Sequence, residues 1–165
     1  MAAITIIYGS TMGNTQSAAE EISSALSAHT TTTLEVSSAS KEIFEGAEVL
    51  LLGSSTWGLG DLQDDWEEAI EVLRSSDLSG KKVALFGCGD ADSYCDTFVD
   101  AMGIIYEAAV EAGATVVGQT STDGYGYTAS RAEVDGQFVG LALSDNDSDN
   151  DSKISTWCEA ISAQF

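Results

Sequence analysis

With 165 residues the chain is long enough for one domain with a substantial core, and residues 1–165 are expected to form a single domain. Its 27 acidic residues against 6 basic ones give a net charge of −21, which makes nucleic acid and anionic membrane poor partners and favours a basic protein surface. No run approaches the length of a membrane span, Met1-Ala2-Ala3 carries no charged leader, and Cys88, Cys95 and Cys158 lack metal-binding or paired spacing. The expectation is a soluble cytoplasmic protein with free thiols. Adaptation to a salty solvent would produce the same acidity, and composition leaves both explanations open.

Ile4-Thr5-Ile6-Ile7-Tyr8 is short, β-branched and closed by Gly9, the pattern of a buried parallel strand. Ser10-Thr11-Met12-Gly13-Asn14-Thr15 follows, and then a helical face of Ala18, Ala19, Ile22, Ala25 and Leu26. A strand that enters a helix through hydroxyls and a glycine leaves backbone N–H groups unpaired at the helix N-terminus, a cradle for phosphate. Asn14 stands where a nucleotide triphosphate loop needs lysine, which excludes a Walker loop. Neutral donors suit the terminal phosphate monoester of a resident cofactor. A plain turn capped by Ser or Thr would use the same residues, so the loop alone does not decide.

Thr33-Leu34-Glu35-Val36 forms a short second strand and Ala47 to Gly53 a buried third. Leu62, Trp66, Ala69, Ile70 and Leu73 recur at helical spacing, and Val83 to Gly87 is a fourth strand. Phe98, Met102, Ile105, Ala109 and Val110 mark another helix face, closed by Gly113. Thr115 to Gly118 starts a fifth strand, and Gln137 to Leu143 reads as a further strand or a resumption of the fifth. Ile154, Trp157, Cys158, Ile161 and Phe165 face inward on a last helix.

Strands alternating with helices imply a parallel sheet covered on both faces, with every strand's C-terminal end on one edge. Loops 9–15, 54–61 and 87–97 fall on that edge, where open α/β sheets bind their ligands. Trp57, flanked by glycine, and Tyr94 would face each other across a slot with the phosphate cradle at its inner end. That arrangement describes a planar ring on a phosphorylated tail, with Gly89 letting backbone approach the ring's edge. The alternating acids of Asp145 to Asp151 fail as a calcium loop, because Asn150 occupies the sixth position and Thr156 the twelfth. His29, the only histidine, is expected at the surface, and no catalytic set assembles around it.

Ile6 to Thr15 resembles the flavodoxin signature that binds the phosphate of FMN. Ser55 to Trp66 resembles the family's loop with the inner-face tryptophan, and Phe86 to Asp90 with Tyr94 the loop of the outer-face tyrosine. Ser121 to Tyr125 and Gly136 to Leu143 resemble the insertion and resumed strand of long-chain flavodoxins. The resemblance implies a doubly wound five-stranded parallel sheet of order 2-1-3-4-5, its fifth strand interrupted by an insertion. It implies a monomeric, low-potential electron carrier with non-covalent FMN, docking a flavoprotein reductase and electron-accepting enzymes at the flavin edge. By position, Ser10, Thr11, Met12, Gly13, Asn14 and Thr15 would hold the phosphate, and Thr56 would approach the ribityl chain. Trp57 and Tyr94 would sandwich the ring, Gly58 and Leu59 border its N5 edge, and backbone at Gly89, Asp90 and Thr97 approach the pyrimidine edge. Gly58, which reaches φ > 0 without a Cβ penalty, is suited to turn a carbonyl toward N5–H.

The chain departs from the family at Ser144 to Asp151, where relatives tend to carry a Gln-bearing segment. An FMN-dependent NAD(P)H:quinone oxidoreductase is the alternative, but it needs room where Tyr94 should lie and cations that the chain hardly has. A phosphoacceptor receiver domain needs acids where Ser10 and Ser54 stand.

Overall fold

The computed structural model describes residues 3–10, 13–57, 60–89, 96–123, 125, 127–144 and 148–165, with the backbone alone at Trp57. β1 (Ala3–Gly9) leads through residues 10–13 into α1 (Asn14–Ala25), and β2 (Thr30–Glu35) returns to a short α2 (Lys41–Gly46). β3 (Val49–Trp57) turns back into β4 (Asp61–Leu62), which opens α3 (Asp64–Ser75). β5 (Lys82–Gly89) and α4 (Asp100–Glu111) follow. Then come β6 (Thr115–Val117), β7 (Thr120–Ser121), β8 (Glu133–Val134), β9 (Gln137–Phe138), β10 (Leu141–Ser144) and α5 (Asn150–Ser162).

The central sheet runs β10-β5-β3-β1-β2, all neighbours parallel. β6 lies opposite Lys82–Ala84 and β10 opposite Phe86–Gly89, so the two are halves of one fifth strand. The expected order 2-1-3-4-5 is therefore met, and the interruption is real. Residues 118–140 separate the halves and carry a small antiparallel sheet, β7-β9-β8. Gln137 to Leu143 is not one strand, however. Gln137 and Phe138 belong to the small sheet, and only from Leu141 does the chain rejoin β5. At the crossing the Val139 N–H bonds to the Ala132 carbonyl at 2.8 Å and the Thr120 hydroxyl to the Gly140 carbonyl at 2.7 Å.

Alternate strand residues divide the core into two layers, as the pleat requires. Ile7, Leu50, Leu52, Val83 and Leu85 join Phe44, Trp66, Met102 and Ile105 beneath α2, α3 and α4. Ile4, Ile6, Leu51, Ala84 and Phe86 join Ala19, Ile22, Trp157 and Ile161 beneath α1 and α5. Aromatic side chains as deeply buried as Trp66 and Phe86 each cost about 3–5 kcal/mol to truncate to alanine. Two residues of the expected faces point outward: Ala25 is exposed and Val110 is 47% exposed. His29 is half-buried, its Nε2 2.7 Å from the Ser162 hydroxyl and its ring edge-on to Phe165, so α5 holds it in place.

Cys88 and Cys158 are buried thiols, and burial pushes the Cys158 thiol up to about 12, which keeps it protonated and inert. Among the described residues no helix is long and apolar enough to cross a membrane. No described group of three or more His, Cys, Asp or Glu could hold a metal ion; Asp145 and Asp147 lie outside the described residues.

Candidate functional site

β1, β3 and β5 are the three central strands, and their register brings the three loops to one level. Gly9 lies opposite Ser54, and Ser54 opposite Gly87. The chain leaves β1 toward β2 on one side and β3 toward β5 on the other, which opens a crevice between the first two loops.

In the first loop the Ser10 hydroxyl accepts the Gly13 N–H at 3.0 Å. Gly13 has φ 92, a left-handed geometry that disfavours any Cβ, and it is the N-cap of α1. The N-cap glycine has no side chain to cap the helix, and among the described residues the Ser10 hydroxyl reaches only the Gly13 N–H. The first bond of the turn runs from the Ser17 N–H to the Gly13 carbonyl at 2.9 Å, leaving the N–H groups of residues 14–16 without an intrahelical acceptor. Thr15 is fully buried, and its hydroxyl has no hydrogen-bond partner among the described residues. A donor fan beside an orphaned hydroxyl, with no Lys or Arg in residues 9–17, fits a phosphate held by neutral hydrogen bonds. Thr11 and Met12 lie outside the described residues.

The second and third segments are shorter as loops than expected. Residues 54–57 and 87–89 remain in strands, because Ser54 and Ser55 keep their ladder with Gly87 and Cys88. Small polar residues survive at this buried end because α3 satisfies them. The Ser54 hydroxyl donates to the Ser55 carbonyl and accepts the Gln63 N–H, while the Trp66 indole donates to the Gly53 carbonyl at 2.7 Å. Thr56 and Trp57 then pair with Leu62 and Asp61 in a hairpin that turns through Gly60 at φ 96. The Thr56 hydroxyl accepts the Ala101 N–H at 3.2 Å, so it serves the first turn of α4 as well as any ligand. Gly89 closes β5 beside Ser144, and the half-buried Thr97 accepts the Asp100 N–H at 3.1 Å. Gly58, Leu59, Asp90 and Tyr94 lie outside the described residues, as does the Trp57 side chain.

Two residues beside this rim carried no motif in the sequence. Val99 is buried at φ 49, which costs a β-branched residue on the order of 1–3 kcal/mol and persists only where its surroundings enforce it. Asp100 is 6% exposed; burial raises its carboxyl above the usual range, against the opposing pull of the Arg131 N–H and charge. The sole sign of Asp100 in the sequence was an acid inside an apolar helix face.

The family model described as Flavodoxin matches residues 6–157. The chain belongs to the flavodoxin family. It is 41% identical to the flavodoxin of Helicobacter pylori, covering 100% of this chain and 99% of that one. It is 40% identical to the flavodoxin of Trichodesmium erythraeum at the same coverage. Fusobacterium nucleatum flavodoxin, solved bound to flavin mononucleotide, superposes with a TM-score of 0.95 at 31% identity, covering 100% of this chain and 99% of that one. As a flavodoxin the chain is of the long type, its fifth strand split by residues 118–140.

Proposed function

We propose that this flavodoxin carries electrons at low potential on non-covalently bound FMN, handing them between redox partner proteins and turning over no substrate of its own. The observation that carries the reading is the first loop: a cation-free fan of N–H donors with the orphaned Thr15 hydroxyl at the end of a central strand. FMN supplies the one- and two-electron chemistry, and the protein supplies binding, orientation and electrostatics. Ser10 to Thr15 hold the phosphate, and Thr56 lies along the ribityl chain. Trp57 and Tyr94 stack on the ring, with Gly58, Leu59, Gly89, Asp90 and Thr97 at its edges. A net charge of −21 opposes the negative charge of full reduction, which keeps the last electron at low potential.

The partners dock at the exposed flavin edge; a flavoprotein reductase and electron-accepting enzymes with basic surfaces fit the acidity. The reading takes residues 1–165 as one monomeric, cytoplasmic domain. A quinone oxidoreductase is disfavoured by the scarcity of cations, 6 in all, half of which sit far from the loops. Lys81 and Lys82 stand at the start of β5 and Arg74 at the end of α3, on the edge away from the three loops.

The test is titration of apoprotein with FMN and with riboflavin, followed by flavin fluorescence, with NAD(P)H and a quinone as a turnover control. The protein should purify yellow with one FMN per chain, bind riboflavin at least about tenfold more weakly, and show no turnover. Equal affinities would overturn the assignment of residues 10–15, and turnover would restore the oxidoreductase.

A further inference from the structure

We propose that Asp100 is a positioning residue of the flavin site, one whose carboxylate locks the insertion against the hairpin after β3 beside the ring. The proposal rests on the FMN reading above. Among the described residues Asp100 is the only buried charged side chain. A carboxylate is costly to bury unless its oxygens are engaged. Its Oδ1 accepts the backbone N–H of Arg131, in the insertion, at 2.8 Å. Its Oδ2 lies against Gly60 so closely that a Cβ there would stand 2.5 Å away. Its own N–H returns to the Thr97 carbonyl, and the next N–H, of Ala101, goes to the Thr56 hydroxyl.

The carboxylate itself meets two segments with separate duties, Gly60 of the hairpin around Trp57 and Arg131 of the insertion, while the bonds to Thr56 and Thr97 run through backbone N–H groups that any side chain at position 100 would leave in place. The insertion is fastened at a second point. The Ser130 hydroxyl donates to the Phe98 carbonyl and accepts the Ala132 N–H at 3.0 Å, while the Phe98 ring sits 5.6–5.8 Å from Tyr125, Tyr127 and Phe138. Between these two anchors lies Val99, held at φ 49. An acid that only favoured the N-terminus of α4 could do so from the surface. Buried under Gly60 and bonded to the insertion, Asp100 instead fixes how the hairpin after β3 meets the insertion. The phosphate cradle of residues 10–15 hangs from β1 and shares none of these bonds.

Ring and phosphate should therefore come apart in Asp100→Ala. Apoprotein is titrated with riboflavin and FMN by fluorescence, and with inorganic phosphate by melting-temperature shift at matched ionic strength. Visible circular dichroism of the bound flavin reports ring placement. Asp100→Ala should weaken both flavins by the same factor, about tenfold, alter the flavin dichroism and leave the phosphate shift unchanged. Asp100→Asn, which keeps the acceptor for Arg131, should restore most of the affinity. Asp100→Ser retracts from Gly60 and Arg131 while keeping a hydroxyl at the helix start, and serves if the alanine variant does not fold. Unchanged flavin affinity and dichroism in a folded alanine or serine variant would overturn the proposal, as would an equal loss of phosphate binding. Wild-type protein that binds neither flavin would bring down the FMN reading itself.

Discussion

At position 15 a hydroxyl is sealed away from water with no partner among the described residues, and such a group costs the protein about 1–3 kcal/mol. A phosphate oxygen beyond the start of α1 would convert that cost into affinity. Thr15→Val keeps the β-branched shape and deletes the oxygen. In urea unfolding the apoprotein should gain about 1 kcal/mol, while FMN affinity falls about tenfold and riboflavin affinity stays the same. A valine variant that is less stable and binds FMN normally would show that the hydroxyl works within the apoprotein and not for the phosphate. Thr15 was legible in the sequence as part of a motif, but its lack of a partner was not. That depends on how the fold buries the start of α1.

Helices α1 and α5 pack side by side, yet their facing surfaces bring two acids together. Glu21 and Asp151 line a groove of about 620 Å³ with Ser17, Glu20, Ser24 and Ser155, and no Lys, Arg or His is among its described lining residues. Burial raises the Glu21 carboxyl above its usual range, and the charge and hydrogen bond of Asp151 raise it further. An acid raised in the folded state favours folding while it is protonated, and that contribution is lost as pH climbs through its folded value. Acidification from neutrality toward the ordinary glutamate range should therefore tighten this contact. Glu21→Gln, which can donate permanently to Asp151, should melt higher than wild type at pH 7 and converge with it at lower pH. A lower melting temperature at pH 7 would mean that the pair is held by something other than a shared proton.

Across the whole molecule, repulsion outweighs pairing. Among the described residues Arg74 pairs with Glu71 and Glu111, and Arg131 with Glu107, all partly or well exposed and worth about 0–1 kcal/mol each. With 27 acids and 6 bases, most carboxylates have no cation to meet. Salt screens over about 8–10 Å at physiological strength and less at higher concentration, so screening should relieve the folded state. The apoprotein's melting temperature should rise from dilute buffer to molar sodium chloride. If it does not move, self-repulsion is not limiting, and the acidity is better explained by attraction of a basic redox partner.

Periodicity along the chain determined the doubly wound architecture, because buried strands and one-sided helices need different spacings of apolar residues. The order of hydroxyls, glycine and helix in Ser10 to Thr15 made a phosphate cradle or a plain capped turn the two readings of the loop, because both leave a helix N-terminus behind a glycine. Tertiary structure decided what depends on neighbours distant in sequence. Ser54 to Trp57 read as a loop but stay in β3, since Gly87, Cys88 and Gln63 supply the partners that polar residues need to remain buried. Gln137 to Leu143 read as one strand but divide, since Phe138 has aromatic partners in the insertion while Leu141 has a backbone partner in β5. Val110 kept a helical spacing and still faces water, because periodicity places a residue on a face but not against a neighbour. Asp100 was invisible for the same reason: it is buried by a hairpin about forty residues before it and an insertion about thirty after, and only folding brings those together.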